Sequence, residues 1–409
     1  MRAELGRENE LKLHVKQYIP KDNLQPKAGD VTIIGATANA YPKEIHEPLW
    51  DDFYHSLKTK FGRKIRSIWI ADPVNTGQSG VMNENILGPN PSWFDHGRDL
   101  MFLINQFQDD IPHPIIGIGH SMGAGHLAHL ALLHPRLLDA VVLMDPVIQL
   151  GGAGQNWAHA STYRRDLWPS RDNAAEGMRR SKGLQAWDRR CLEKFIEHGL
   201  REVPTEVYPD LDVAKQQAGS EKDQVPVTLQ TTKGQEQYNY IRPIYHDPRT
   251  LVKEEDRFLG FAPGDVKEEE GFGREEKIWF YRRLPELQPS TLFVFGEKSE
   301  VSPREAREEK LRITGTGPGG NGGAARGRVQ SAVIECGHLV PLEKPKEDAE
   351  ICAAFVGQEL KRWEVDEAER KQVWQNLTRR ERVDLNDLWR EHVGPPPARP
   401  PKQSEKTKL

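Results

Sequence analysis

The pentapeptide Gly119-His120-Ser121-Met122-Gly123 is the part of this chain whose residue types and spacing point most directly to chemistry. It matches G-x-S-x-G, follows the apolar run Ile115-Ile116-Gly117-Ile118-Gly119, and opens a helical stretch over residues 122–133. A strand that turns this tightly into a helix needs glycine where side chains would collide, and the turn lifts the serine hydroxyl above the strand end. The helix start offers backbone N–H groups and a positive end to an oxygen that gains negative charge, with the Met122 N–H as the nearest donor. The chemistry implied is nucleophilic acyl transfer through Ser121.

A serine hydroxyl is a weak nucleophile at neutral pH and needs a base. For a nucleophile in such an elbow the partners follow in the order serine, acid, histidine. Of the 14 histidines, His338 fits, in Cys336-Gly337-His338-Leu339-Val340-Pro341 beyond the last strand candidate. The acid commonly stands fourth in a Gly-x-x-Asp turn, but here that turn reads Gly296-Glu297-Lys298-Ser299. We therefore expect the carboxylate at the end of the preceding strand, where Asp145 follows Leu143-Met144, with Glu297 as the alternative acid and Glu300 as a further one. A second oxyanion donor is expected from Ala36-Thr37-Ala38-Asn39-Ala40-Tyr41, with the Asn39 N–H in the matching position. His120, His126 and His129 read as an elbow residue and two residues of the following helix, so no metal and no cofactor is expected.

The elements that must position these groups follow from the apolar patterning. Strands are predicted at residues 31–35, 65–71, 115–119, 140–144, 291–295 and 329–334, and helices at 42–58, 94–107, 122–133, 303–311 and 343–361, with Ser302 as the N-cap of the fourth helix. Near-continuous apolar strands are buried on both faces, which argues for an α/β architecture with a largely parallel sheet. Residues 146–288 carry charged amphipathic stretches, at 174–199 and 275–284, in place of strands. They are predicted to form a large helical cap inserted between strands 6 and 7. The expected organisation is residues 1–145 and 289–361 as the two parts of one core, 146–288 as the cap, and 362–409 as a charged helical extension with a disordered Pro-rich tail. In the extension Trp374, Leu377, Leu385 and Leu388 are available to dock.

Composition narrows the partners. The 57 Lys and Arg against 61 Asp and Glu leave a net charge of −4, with no basic field for nucleic acid. No apolar run is long enough for an integral membrane segment, and residues 1–8 lack the apolar core of a secretory signal. The 3 cysteines, Cys191, Cys336 and Cys352, are widely spaced and odd in number, which fits a reducing compartment. The mean hydropathy of −0.69 is low for a chain with a sizeable core and places polarity outside that core. The run Gly315-Thr316-Gly317-Pro318-Gly319-Gly320 formally matches G-x-G-x-x-G, but it follows a helix and precedes a strand. It reads as a flexible surface insertion. Asn376-Leu377-Thr378 is a sequon without a secretory route.

These residues together resemble the α/β-hydrolase superfamily, and within it fungal peroxisomal lipase-like and toxin-biosynthesis serine hydrolases. The resemblance spans about residues 11 to 361. It is carried by Tyr41-Pro42-Lys43-Glu44, Glu47-Pro48-Leu49-Trp50, residues 72–80, the Ser121 elbow, Asp145-Pro146-Val147, Phe295-Gly296-Glu297-Lys298-Ser299 and Gly337-His338-Leu339-Val340-Pro341-Leu342-Glu343-Lys344-Pro345. It implies an α/β-hydrolase fold and hydrolysis of small hydrophobic acyl esters or thioesters, and it favours Asp145 over Glu297. Relatives carry a His-Ala-Asn-Gly-like loop where this chain has Thr37-Ala38-Asn39-Ala40. Trp157, Trp168, Trp187 and Trp279 are candidates for the apolar acyl site. The competing expectation is a catalytically silent protein that uses the capped pocket to bind a hydrophobic small molecule. The C-terminal Thr407-Lys408-Leu409 resembles the Ser-Lys-Leu address read by the peroxisomal import receptor, which implies a peroxisomal location, with a cytoplasmic one as the alternative.

Overall fold

The computed structural model describes residues 11–151, 154–245, 258, 260–266 and 271–396. It divides into two compact units, residues 1–360 and 361–409. The first unit is built on β1 (Val15–Tyr18), β2 (Val31–Ala36), α1 (Glu47–Phe61), β3 (Ile65–Ala71), α2 (Gly77–Met82), α3 (Trp93–Gln106), β4 (Ile115–His120), α4 (Met122–Leu133) and β5 (Ala140–Met144). An inserted segment follows, with α5 (Gln155–Tyr163), β6 (Leu167–Trp168), α6 (Arg171–Arg180), α7 (Arg189–His198), β7 (Leu200–Glu202), α8 (Leu211–Ala218), β8 (Val227–Leu229) and α9 (Lys233–Tyr240). After β9 (Arg242–Pro243), β10 (Phe272–Gly273) and α10 (Glu275–Arg283), the sheet resumes with β11 (Ser290–Gly296), α11 (Arg304–Ile313), β12 (Val329–Ile334) and α12 (Val340–Glu343). α13 (Pro345–Asn376) and α14 (Asp387–Val393) complete the described chain.

The seven-stranded sheet has the order β1-β3-β2-β4-β5-β11-β12. All its pairings are parallel except that of β1 with β3. Side chains alternate between two hydrophobic cores. Ile34, Val141, Leu143, Phe293 and Phe295 face the core shared with α3, α4 and α10. Ile33, Val142, Met144, Leu292 and Val294 face the one shared with α1 and α13. This two-sided burial is why the strands read as unbroken apolar runs. β1, only partly buried, carries too short a pattern to be visible and was not expected.

The insertion is not purely helical: β6, β8 and β7 form a small antiparallel sheet, and β9 pairs with β10. Counted within this sheet, the insertion follows the fifth strand and precedes the sixth. The charged amphipathic stretch over 174–199 forms two helices, α6 and α7. α10 lies in the sheet's own core, with Phe280 fully buried against Trp93 and α4. The N-cap of α11 is Pro303, while Ser302 is wholly buried and its Oγ makes no hydrogen bond. The glycine run at 315–320 is not a loose insertion. Gly315 and Gly317 N–H donate to Leu284 and Pro285 carbonyls, and Gly322 N–H donates to Gly315. In the second unit Trp374, Leu385 and Leu388 are exposed, and the Arg382 guanidinium sits 4.4 Å from the Trp374 ring centroid. The tail from residue 397 onward, with its C-terminal tripeptide, lies outside the described residues.

Two buried charges illustrate opposite solutions. Lys43 Nζ lies 2.7 Å from Asp72 Oδ2 with both side chains fully buried, which ties the turn after β2 to the end of β3. Gly77 crosses close enough to Asp72 that a Cβ there would fall 2.4 Å from its Cγ. Asp348, in the first turn of α13, has no such cation; it accepts only from the Cys352 thiol, and its Oδ2 is unpartnered. Burial raises its carboxyl to about 7. Because the unfolded chain releases this proton near pH 4, the buried carboxyl penalises the fold increasingly from pH 4 to 7 and fully above that range. Asp348→Asn is expected to stabilise the protein at pH 8 by on the order of 2 kcal/mol, with the gain gone by about pH 4. Urea midpoints at the two pH values test this, and an Asn variant that is no more stable at pH 8 rejects it.

Candidate active site

The elbow after β4 is built by steric exclusion. Ser121 has φ 57 and ψ −115, a left-handed conformation that a non-glycine residue holds only under tight constraint. A Cβ at Gly119 would lie 2.8 Å from the Gly123 carbonyl oxygen, and one at Gly123 would lie 2.4 Å from the Ala36 carbonyl oxygen. Ser121 N–H donates to the Met144 carbonyl at 2.9 Å, which anchors the elbow to β5. Ser121 is buried, yet it lines a cavity of about 440 Å³.

The structure brings three of the expected residues into one chain of hydrogen bonds. Ser121 Oγ is 2.8 Å from His338 Nε2, and His338 Nδ1 is 2.6 Å from Asp145 Oδ2. Asp145, wholly buried at φ 39, also receives the Ser299 hydroxyl on Oδ2 and the Gly296 N–H on Oδ1 at 3.4 Å. Glu297 is not part of the group. The turn closed by Ser299 N–H on the Gly296 carbonyl sends Glu297 and Lys298 to solvent and Ser299 inward. Glu300 lines the cavity without bonding His338. Where a Gly-x-x-Asp turn would hold its acid, Ser299 hydrogen-bonds an acid supplied by β5.

Neighbouring side chains hold the imidazole from both sides. Trp157 stacks on His338 with ring centroids 5.2 Å apart and an interplanar angle of 22°. His120 Nε2 donates to the His338 carbonyl at 2.9 Å. Burial holds His120 well below the usual imidazole range and His46 down to about 4, so both are neutral structural groups. Burial also pulls the Lys310 ammonium, unpartnered inside α11, down to about 8, an effect the Asp145 charge opposes.

The loop after β2 borders the cavity that Ser121 lines. Asn39 and Ala40 line the cavity beside Ser121. Met122 begins α4, so its N–H has no partner within the helix. The Asn39 side chain is fully used: Nδ2 donates to the Glu236 carbonyl at 2.8 Å, and Oδ1 accepts from Asn239 Nδ2 at 2.9 Å. Ala40 has φ 68, a conformation that costs an L-residue about 1 kcal/mol and a glycine nothing. Thr37 Oγ1 meets buried His46 Nε2 at 3.2 Å, which supports the loop from beneath.

Of the expected tryptophans, Trp157 lines this cavity. Trp279 instead packs on Phe94 and under the Arg283 guanidinium. The sequence reading did not single out Glu236, Arg164, Ser161 or Tyr240, which also line the cavity. They lie in the insertion and carry no motif. His126 and His129 are buried in α4 against His96, Phe94 and Phe280. Among the described residues no group of three potential ligands could hold a metal ion.

The family model described as "Alpha/beta hydrolase family" matches residues 50–350. The type I acyl-CoA thioesterase mpaH' of Penicillium brevicompactum is 36% identical over 419 residues, an alignment that covers 100% of this chain and 95% of that protein. An abhydrolase domain-containing protein of Alternaria alternata, ACTT2-2, is 28% identical and covers 68% of this chain and 97% of its own length. Among solved structures, the peroxisomal α/β-hydrolase Lpx1 of Saccharomyces cerevisiae superposes with a TM-score of 0.64 at 16% identity. That match covers 92% of this chain and 95% of that one, a likeness of fold.

The elbow can be tested through its glycine. Gly123→Ala is expected to push the 36–40 loop off the elbow and to slow labelling of Ser121 by a fluorophosphonate by about a hundredfold or more, the order expected for loss of an oxyanion contact. Helix content by circular dichroism should be unchanged. Full-rate labelling of the variant would contradict the close approach on which the site rests.

Proposed function

The chain belongs to the α/β-hydrolase family and hydrolyses ester or thioester bonds, and on that premise we propose that it is an acyl thioesterase acting through an acyl-enzyme at Ser121. The observation that carries this reading is the hydrogen-bonded series Ser121–His338–Asp145 on the wall of the cavity. The choice of thioester draws on the full-length likeness to an acyl-CoA thioesterase.

In this mechanism Ser121 Oγ attacks the acyl carbonyl carbon while His338 Nε2 takes its proton. Asp145 holds the Nδ1–H and offsets the charge on the imidazolium, and Ser299 keeps the Asp145 carboxylate in place. The tetrahedral oxyanion is met by the Met122 and Asn39 N–H groups at the positive end of α4. Collapse breaks the carbon–sulfur bond, and the departing thiolate takes the proton from His338. Water, activated by the same imidazole, then attacks the acyl-serine and releases the carboxylic acid. Every proton in this sequence moves through His338 Nε2, which returns the last one to Ser121 Oγ as the acid leaves.

A fluorophosphonate is expected to label the native protein and not Ser121→Ala; labelling that survives in the alanine variant rejects Ser121 as nucleophile. Asp145→Asn should lower kcat for an acyl thioester by about 10⁴, the loss expected when the histidine is left in the wrong tautomer. Glu297→Gln should leave kcat unchanged, and the opposite ranking would move the acid to Glu297.

We also propose peroxisomal import through Thr407-Lys408-Leu409. A fluorescent protein fused to the N-terminus, leaving this tripeptide free, should be peroxisomal, and deletion of residues 407–409 should leave it cytosolic. Unchanged localisation after the deletion rejects the signal.

A further inference from the structure

A second cavity, of about 450 Å³, adjoins the catalytic one and shares Tyr41, Arg164 and Phe195 with it. Beyond those three residues its walls include Trp168, Met178, Leu184, Trp187 and Leu229, contributed by the inserted segment. Met178, Trp187 and Leu229 belong to the insertion's own hydrophobic core, to which Ile45 and Leu342 contribute from the sheet side. The junction is aromatic. Tyr41 meets Trp187 edge-on at 5.5 Å and Phe195 at 5.8 Å.

The charges that reach this space are already engaged. Arg164 is paired with Glu236, a buried carboxylate that also accepts from Ser161 Oγ at 2.5 Å and from the Tyr240 hydroxyl at 3.3 Å. Arg165 donates to the Leu167 carbonyl at 2.7 Å, and its guanidinium lies 5.9 Å from the Trp168 ring centroid. The arginines therefore present themselves as clamped rim groups, and the space behind them suits hydrocarbon better than phosphate.

We propose that this annexe is the acyl compartment. The acyl group bound to Ser121 runs past Tyr41 and Phe195 into the annexe, while the leaving group stays on the catalytic side. Substrates preferred by this enzyme therefore carry a long or bulky apolar acyl group, one too large for the catalytic cavity alone. The inference rests on Ser121 being the nucleophile, and its test separates the two.

Gly177 lines the annexe from α6, and a Cβ built there meets no atom within 4 Å. Gly177 is exposed at the edge of the annexe, so Gly177→Trp adds an indole at its mouth with no clash at Cβ, and Gly177→Ala serves as control. The readout is kcat/KM on p-nitrophenyl butyrate, p-nitrophenyl dodecanoate and dodecanoyl-coenzyme A, together with the rate of labelling by a small fluorophosphonate. Burial of each methylene multiplies affinity about three- to fourfold, so excluding three or more predicts at least a roughly thirtyfold loss on both dodecanoyl substrates. Butyrate hydrolysis, labelling and the alanine control should stay at the native level. Equal loss on butyrate and dodecanoate, or no loss on either, overturns the acyl compartment. So does a loss confined to the coenzyme A thioester, which would assign the annexe to the leaving group. A native protein that neither labels nor cleaves butyrate would overturn the Ser121 reading itself, and the compartment with it.

Discussion

The 2.6 Å hydrogen bond between His338 and Asp145 joins residues 193 positions apart, and much of the architecture exists to make that bond possible. Asp145 leaves the end of β5, His338 follows β12, and β11 lies between them in the sheet. The His338 loop can cross the end of β11 only because residue 296 is glycine. A Cβ there would lie 1.9 Å from the Gly337 carbonyl oxygen. Ser299 and the Gly296 N–H, both from the turn after β11, then satisfy the buried carboxylate. A carboxylate sealed from water is tolerable only with such donors, so the strand between the two residues both spaces them and solvates the acid.

The inserted segment is more than a cover. Asn39, whose N–H faces the oxyanion position in our reading, is held by Asn239 and the Glu236 carbonyl of α9, and Asn239 in turn accepts from Asn75 at 3.3 Å. Polar groups buried this deeply are costly unless paired, and here each pairing crosses from the sheet to the insertion. The loop lacks a glycine at position 40 and holds Ala40 in a left-handed conformation, so part of its shape is imposed by these contacts. Trp157 from α5 packs on the imidazole in the same way. The one insertion therefore braces the Ser121 site through α5 and α9 and lines the second cavity through β6, α6 and β8.

The central strands were legible because burial on both faces leaves apolar runs with sharp ends, and 65–71 and 140–144 match the observed strands residue for residue; 329–334 matches as well, although β12 is an edge strand with Ser331 and Val333 exposed. The elbow was legible because two glycines and a serine have no common alternative use at a strand-to-helix turn. The insertion was not, since β6, β7 and β8 are only two or three residues long and are held by pairing across the segment. Ser302 resembled a helix cap, but tertiary burial displaced that role, and the helix begins after Pro303. The glycine run at 315–320 read as loose because composition carries no record of its backbone bonds to Leu284 and Pro285.

The sequence by itself singled out the expected nucleophile, the expected base and the chain order serine, acid, histidine, because each depends on local sterics or on chain order. It favoured Asp145 as the acid but kept Glu297 as the alternative, since both stand beside strand ends and chain position does not say which way a side chain points. The fold resolves the geometry: the turn at Gly296–Ser299 exposes Glu297, while the end of β5 turns Asp145 inward to His338. Only the tertiary structure could put Tyr41, Arg164 and Phe195 on the walls of both cavities, because those residues come from segments that share no motif and meet only when the insertion packs on the sheet.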